Sequence, residues 1–284
     1  MTTNGTGRAG WRGFGIAGAL PHDVIRSLAA AAEAAGYHTF WVNDTPHGAG
    51  LASLRAAAEV TSEILLGVGV IPLDRQPADV IARRVKELSL PQQRLIVGIG
   101  SGNKQGGLAR VREGAATLEE RLEAPVVVGA LGPNMCAMAG KSSDGVLLNW
   151  LTADYVAPSA AIVTAAAREA GRPRPLILGY VRTVYGPGAG EVFAEEAGRY
   201  GSYPAYAANF GRMGTPAEMT AVIGDTPREI QAGLARFTPE LDETVVRAVP
   251  DEETAAAYLA LLEAAAPEGA KQHLPSPPER TGTL

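Results

Sequence analysis

Polar residues and glycines collect where the apolar runs of this 284-residue chain end. One run is followed by Asn43-Asp44-Thr45-Pro46-His47-Gly48 and the next by Pro72-Leu73-Asp74-Arg75. Later runs lead into Ser101-Gly102-Asn103-Lys104, Gly132-Pro133-Asn134-Met135 and Asn149-Trp150-Leu151-Thr152. In Ile96-Val97-Gly98-Ile99-Gly100-Ser101-Gly102 a strand-like segment enters glycines, where a ligand could lie against bare backbone amides or the chain could simply leave a strand tightly. The spacing lacks the third glycine of the dinucleotide fingerprint, and no helix opens at Gly102. Pro133 stands at the first turn of a helix directly after a strand, which leaves free amides at a positive helix end able to receive a phosphate or carboxylate. His47 sits in a Gly/Pro loop, where a solvated surface role competes with acid/base chemistry. Arg182 and Arg247 fall inside apolar runs, suited either to clamp an anion or to pair with a structural carboxylate.

Eight short apolar runs must position these groups: 11–17, 38–42, 64–71, 94–100, 125–131, 145–150, 175–185 and 243–249. Most are continuous instead of alternating, as parallel strands covered on both faces require, and Ala-rich stretches of helical spacing separate them. Pro21 opens the first helix, with Ile25, Leu28 and Ala32 on one face and Gly36 at its left-handed end. Ile81, Val85 and Leu88 follow Pro77 at the same spacing. Thr215-Pro216-Ala217-Glu218 and Thr226-Pro227-Arg228-Glu229 read as two capping boxes, and Asp251 as the cap of the final helix. Residues 186–214, rich in Gly, Tyr and Phe, read as an excursion of short helices. The pattern predicts an α/β fold, a (β/α)8 TIM barrel in a single domain over 11–265, with flexible termini at 1–10 and 275–284.

Composition narrows the classes of function. With 46% hydrophobic and 19% charged residues the chain has ample core material. A net charge of -5 without a basic stripe argues against nucleic acid. One cysteine, Cys136, excludes an intramolecular disulfide, and four scattered histidines form no metal signature. No signal-like segment and no apolar run of membrane-spanning length occur, so a cytoplasmic location is expected.

Four stretches in order resemble the bacterial luciferase-like monooxygenase superfamily, and within it the short F420 (deazaflavin)-dependent oxidoreductases, from about Phe14 to Val249. They are residues 36–44; residues 66–73 with 75–78; residues 94–102; and Pro125-Val126-Val127-Val128-Gly129-Ala130-Leu131-Gly132-Pro133-Asn134-Met135, with 139–140 and 144–150. The resemblance implies a bulge with a non-prolyl cis peptide at Gly69, Val70 and Ile71, pressed against the central ring of the cofactor. It implies that Ser101, Gly102 and Asn103, with Gly100 before them, line the cofactor. Leu131, Gly132 and Pro133 would approach its phosphate or side chain, and Asn149, beside Trp150, would contact the phosphate. Several deazaflavin-dependent relatives carry a His directly after the position of Asp44, whereas this chain has Thr45, so Asp44, Thr45 and His47 share the candidate acid/base role. The insertion between strands 4 and 5 is short, implying an open pocket.

The expected function is hydride transfer between reduced F420 and an organic small molecule. The alternatives are an FMN-dependent monooxygenase using oxygen and a non-catalytic flavin- or deazaflavin-binding protein. By the same resemblance a homodimer is expected, without metal, membrane or nucleic-acid partners.

Overall fold

The computed structural model describes residues 10–44, 46 and 49–267. Its strands are β1 (Trp11–Ala17), β2 (Thr39–Asn43), β3 (Leu65–Pro72), β4 (Leu95–Gly100), β5 (Val126–Ala130), β6 (Gly145–Asn149), β7 (Leu176–Tyr185), β8 (Val222–Gly224) and β9 (Glu243–Pro250). The helices are α1 (His22–Ala34), α2 (Gly50–Ala58), α3 (Ala78–Glu87), α4 (Gly107–Arg121), α5 (Pro133–Ser142), α6 (Val156–Glu169), α7 (Ala189–Gly201), α8 (Pro204–Met213), α9 (Pro227–Ala235) and α10 (Ala255–Ala264). All strand pairs are parallel. β9 pairs with both β7 and β1, and β6 pairs with β7, so eight strands close into a barrel in the order β1-β2-β3-β4-β5-β6-β7-β9. The expected TIM-type barrel is present, and α4 alone occupies the short connection between β4 and β5.

The ninth strand departs from the expected eight. β7 is ten residues long; Leu176 to Tyr180 pair with β6, and Thr183 to Tyr185, beyond the end of β6, pair with β8. Three residues are too few to show a period in sequence. Two helix starts also differ from expectation. Thr226 and Glu229 do form a reciprocal capping box, but the Thr215 hydroxyl donates to the Met213 carbonyl and only a 3-10 turn follows at Ala217–Thr220. Thr254, not Asp251, caps α10, accepting from the Ala257 amide. The expected loose ends at 1–10 and 275–284 lie outside the described residues except for Gly10. Among the described residues no helix is long and apolar enough to cross a membrane.

Apolar side chains pack in two shells. The larger lies between strands and helices, where α1 buries Ile25, Leu28, Ala29 and Ala32 before Gly36 turns the chain at φ 76°. The smaller fills the barrel with Trp41, Ile96, Val127, Leu147, Leu178, Tyr180 and Val245. Burying each such side chain stabilises the fold by about 1.5–3 kcal/mol. Trp41 fits because position 67 is glycine: a Cβ there would lie 2.4 Å from the indole. Beneath Trp41 the buried Glu243 accepts from Trp41 Nε1 and Thr39 Oγ1, both at 3.0 Å, and closes that end of the barrel with its polar groups satisfied. Strand alternation then brings Asn43, Gly129, Asn149, Arg182 and Arg247 to the inner face at the opposite, C-terminal end, where barrels of this class place their sites.

Candidate functional site

One side of the barrel mouth is built from glycines around a single valine. The β3–β4 register shifts between Val68 and Ile71, and the Gly69–Val70 peptide bond is cis. This matches the bulge expected there. Val70 turns into the barrel and is half-buried. A Cβ on Gly100 would lie 2.8 Å from Val70 Cγ2, and one on Gly129 would lie 3.0 Å from Val70 Cγ1. The two glycines therefore make the seat on which the Val70 isopropyl group rests. Asn43 fixes the bulge from the far side: its Nδ2 donates to the Gly69 carbonyl at 2.9 Å, and its Oδ1 accepts from the Tyr180 hydroxyl at 3.0 Å. Burial raises the Tyr180 phenol to about 12, against the opposing pull of Arg247 and Arg182, so at neutral pH it remains a donor.

The other side is charged. Arg182, 4% exposed, donates through Nε to Glu196 of α7 at 3.0 Å and through a terminal nitrogen to Asn149 Oδ1 at 2.7 Å. Its guanidinium carbon lies 3.5 Å from the centroid of a Trp150 ring, and Phe193, Tyr200 and Phe210 pack around that indole. Burial lowers the Arg182 pKa, with Glu196 opposing. Burial would raise the Glu196 carboxyl, but Arg182 and Arg247 outweigh it and hold Glu196 below the usual carboxylate range. Arg182 commits the Asn149 oxygen, which leaves Asn149 Nδ2 without a partner among the described residues.

Next to Asn149 a cavity of about 210 Å³ lies between the β5–α5 turn (Leu131, Gly132, Pro133) and Asn209, Arg212 and Met213 of α8. Arg212 donates to the Leu131 carbonyl at 3.1 Å and to Asn209 Oδ1 at 2.6 Å, and Asn209 donates to the Trp150 carbonyl at 2.7 Å. Pro133 occupies the first turn of α5, as expected, so the amide-rich end of that helix opens on this space. Cys136 lies one turn further on; burial pushes its thiol to about 11, so it packs as an apolar group.

The β4–α4 loop is organised by Asp74, whose carboxylate accepts from the amides of Asn103 at 2.8 Å and Lys104 at 3.3 Å. Gly102 has φ +66°, and a Cβ there would collide with the same carboxylate. Ser101 and Gly102 are half-buried beside the mouth, and Asn103 is exposed. Asp44 is buried and engaged: Gly50 N at 2.8 Å, Gln76 Nε2 at 2.9 Å and the Arg75 guanidinium all donate to it. It latches the start of α2 to the β3–α3 turn. Thr45 and His47 lie outside the described residues. Trp150 shapes the wall through Arg182, its indole being covered.

The structure thus brings Gly69, Val70, Ile71, Gly100, Ser101, Gly102, Leu131, Gly132, Pro133 and Asn149 to one end of the barrel. It adds Asn43, Gly129, Tyr180, Glu196 and Arg212, which sequence reasoning did not single out as site residues. For Asn43 and Tyr180 a signal existed: each is a polar-tipped residue two positions from a barrel-filling one (Trp41, Leu178) in its strand. Glu196 and Arg212 gave none, because nothing in a solvated-looking helix shows which barrel residue it will meet.

The family model of luciferase-like monooxygenases matches residues 12–123, which bears out the resemblance over that part of the chain. No curated protein matches the sequence. Among solved structures the chain is similar to an F420-dependent secondary alcohol dehydrogenase in complex with an F420-acetone adduct, with TM-score 0.73, 14% identity and coverage of 90% of this chain and 99% of that one. It is also similar to the coenzyme F420-dependent tetrahydromethanopterin reductase from Methanopyrus kandleri, with TM-score 0.70, 16% identity and coverage of 89% and 96%. A third is the oxygenating constituent of 3,6-diketocamphane monooxygenase from Pseudomonas putida in complex with FMN, with TM-score 0.65, 15% identity and coverage of 89% and 93%. At these identities the likeness is one of fold.

Proposed function

We propose, from the premise that the chain is a luciferase-like barrel, that it is a flavin- or deazaflavin-dependent oxidoreductase moving a hydride between reduced F420 and an organic small molecule. The observation that carries this reading is Val70, turned inward by the bulge onto the seat left by Gly100 and Gly129. A planar ring system lies flat on such a surface. Gly69 and Ile71 flank it, and the backbone at Gly100, Ser101, Gly102 and Asn103 borders it. The residues present also fit an anionic side chain. Leu131, Gly132 and Pro133 offer the first amides of α5, Asn149 offers its unpartnered Nδ2, and Arg212 stands in the same cavity.

When bound, the cofactor supplies the hydride chemistry. Val70 would support the ring, Tyr180 keeps Asn43 aimed at the bulge, and Glu243 with Trp41 closes the far end of the barrel to water. Asp44 ties Gly50 at the start of α2 to Arg75 and Gln76, and the accompanying proton would come from Thr45, Asp44 or a water, with His47 close by in sequence. FMN is the second reading, supported by the similarity to an FMN-bound monooxygenase.

Fluorescence polarisation of F420, and separately FMN, titrated with the protein tests the proposal. Tight binding of F420, weakened by Gly129→Val, is the expected result. Tight binding of FMN alone transfers the reading to flavin chemistry, and binding of neither overturns it.

A further inference from the structure

Among the described residues two arginines lie on the inner face at the C-terminal end of the barrel, and one carboxylate forms an ion pair with one of them. Arg182 and Arg247 are register partners on β7 and β9, and Glu196 takes Arg182. Arg247 is left over. Its guanidinium donates to the adjacent Ala248 carbonyl, and among the described residues no carboxylate lies within 4 Å of it. The groups that act on it electrically are Glu196, already hydrogen-bonded to Arg182, and the phenols of Tyr180, Tyr258 and Tyr200. Its β1 neighbour is Gly15, which brings no side chain, and Arg247 is half-buried on the inner face at the C-terminal end of the barrel, the end that also carries Asn43, Val70, Gly129 and Asn149.

A guanidinium has five N–H donors in a fixed fork, and among the described residues Arg247 meets one hydrogen-bond acceptor, the Ala248 carbonyl. We propose that Arg247 is the centre of an anion subsite, taking a paired anionic oxygen group such as a carboxylate. Two sources share that chemistry: the acid group of a substrate, and an anionic edge of the cofactor. Only the second depends on the cofactor reading above.

The test is isothermal titration of the full chain with sodium benzoate and with benzyl alcohol, for wild type, Arg247→Met and Arg247→Lys. The inference predicts that benzoate binds wild type more tightly than benzyl alcohol does, that Arg247→Met weakens benzoate by about tenfold or more, and that Arg247→Lys restores part of the loss. Benzyl alcohol should not distinguish the three proteins. Equal benzoate affinity in wild type and Arg247→Met, or no preference for benzoate over benzyl alcohol, overturns the subsite. Circular dichroism melts accompany each variant, and if Arg247→Met fails to fold, the ratio of benzoate to benzyl alcohol affinity in wild type and Arg247→Lys decides.

Repeating the benzoate titration with F420 or FMN present separates the sources. Unchanged benzoate binding supports a substrate acid; competition, together with weaker cofactor binding by Arg247→Lys, supports the cofactor edge. If neither cofactor binds but benzoate behaves as stated, the cofactor reading fails and the subsite stands.

Discussion

Removing the Glu196 carboxylate should reveal how the charged wall is held. Glu196 and Arg182 meet at 3.0 Å with side chains 12% and 4% exposed. At an effective dielectric near 20, unit charges about 4 Å apart attract by roughly 4 kcal/mol, and losing one member of a buried pair typically costs about 3–5 kcal/mol because the other charge is stranded. Arg182 would keep Asn149 and the face of Trp150, the latter contact being worth about 1–2 kcal/mol. Glu196→Ala is therefore expected to cost about 3 kcal/mol, or roughly 6–12 °C in Tm for a chain of this size. Glu196→Gln keeps an acceptor and should cost about half as much. The double variant Arg182→Met/Glu196→Leu should melt close to wild type. Because the native Glu196 carboxyl is held below its ordinary value, its contribution is complete above the unfolded carboxylate pKa. It disappears as pH falls through the lower native value, so the gap between wild type and Glu196→Gln must narrow in acid. Thermal melts from pH 7 down to pH 3 check both claims. A Tm for Glu196→Ala within about 2 °C of wild type, or a gap that widens in acid, refutes the reasoning.

Three further outcomes follow from single contacts. Tyr180→Phe deletes the donor to Asn43 Oδ1 and should cost about 1–2 kcal/mol in urea unfolding while weakening cofactor binding, because Asn43 then loses its hold on the Gly69 carbonyl. Glu33 accepts from the amides of Ser62, Glu63 and Ile64 at 2.7–2.9 Å, which with Arg94 outweigh the upward push of burial on its carboxyl. Glu33→Ala should lower stability by about 1–2 kcal/mol at pH 7 and by less in acid, as followed by chemical denaturation at the two pH values. Gly98→Ala would place a Cβ 2.3 Å from the Val68 carbonyl, so expression and Tm should fall, whereas Gly129→Ala presses on the movable Val70 methyls, with the Ile99 carbonyl at an ordinary 3.7 Å, and should change cofactor affinity with little change in Tm.

The barrel was legible because its strands are continuous Val, Ile and Leu runs separated by Pro- and Gly-punctuated helices, and all eight expected runs fall within one residue of the observed ends. β8 was not, being three residues that pair only with the overhang of β7. Thr215 shows why a cap motif is a weak signal: Gly214 in the left-handed region ends α8, and the hydroxyl turns back to Met213. At the site, the Val70 bulge and the α5 turn were legible through motif resemblance, since both depend on local sequence. The Arg182 constellation was not, because its partners come from β6, α7 and the turn after β6, 14 to 33 positions away.

The inner face of the barrel separates holding from doing. Its lower end is closed by Glu243 with Thr39 and Trp41, its middle is apolar, and only its upper end mixes a bare glycine and valine surface with polar groups. An apolar replacement for Arg182 and Glu196 would hold the barrel about as well, since buried ion pairs add little over packed hydrocarbon. Stability therefore does not account for two arginines at this end. What they add is a fixed positive field beside a flat apolar seat, with Arg182 immobilised by Glu196, Asn149 and Trp150 and Arg247 left unsaturated. The double variant Arg182→Met/Glu196→Leu removes one charge of each sign and leaves Arg247 in place, so it should keep its melting point and its preference for an anion, whereas Arg247→Met should lose that preference.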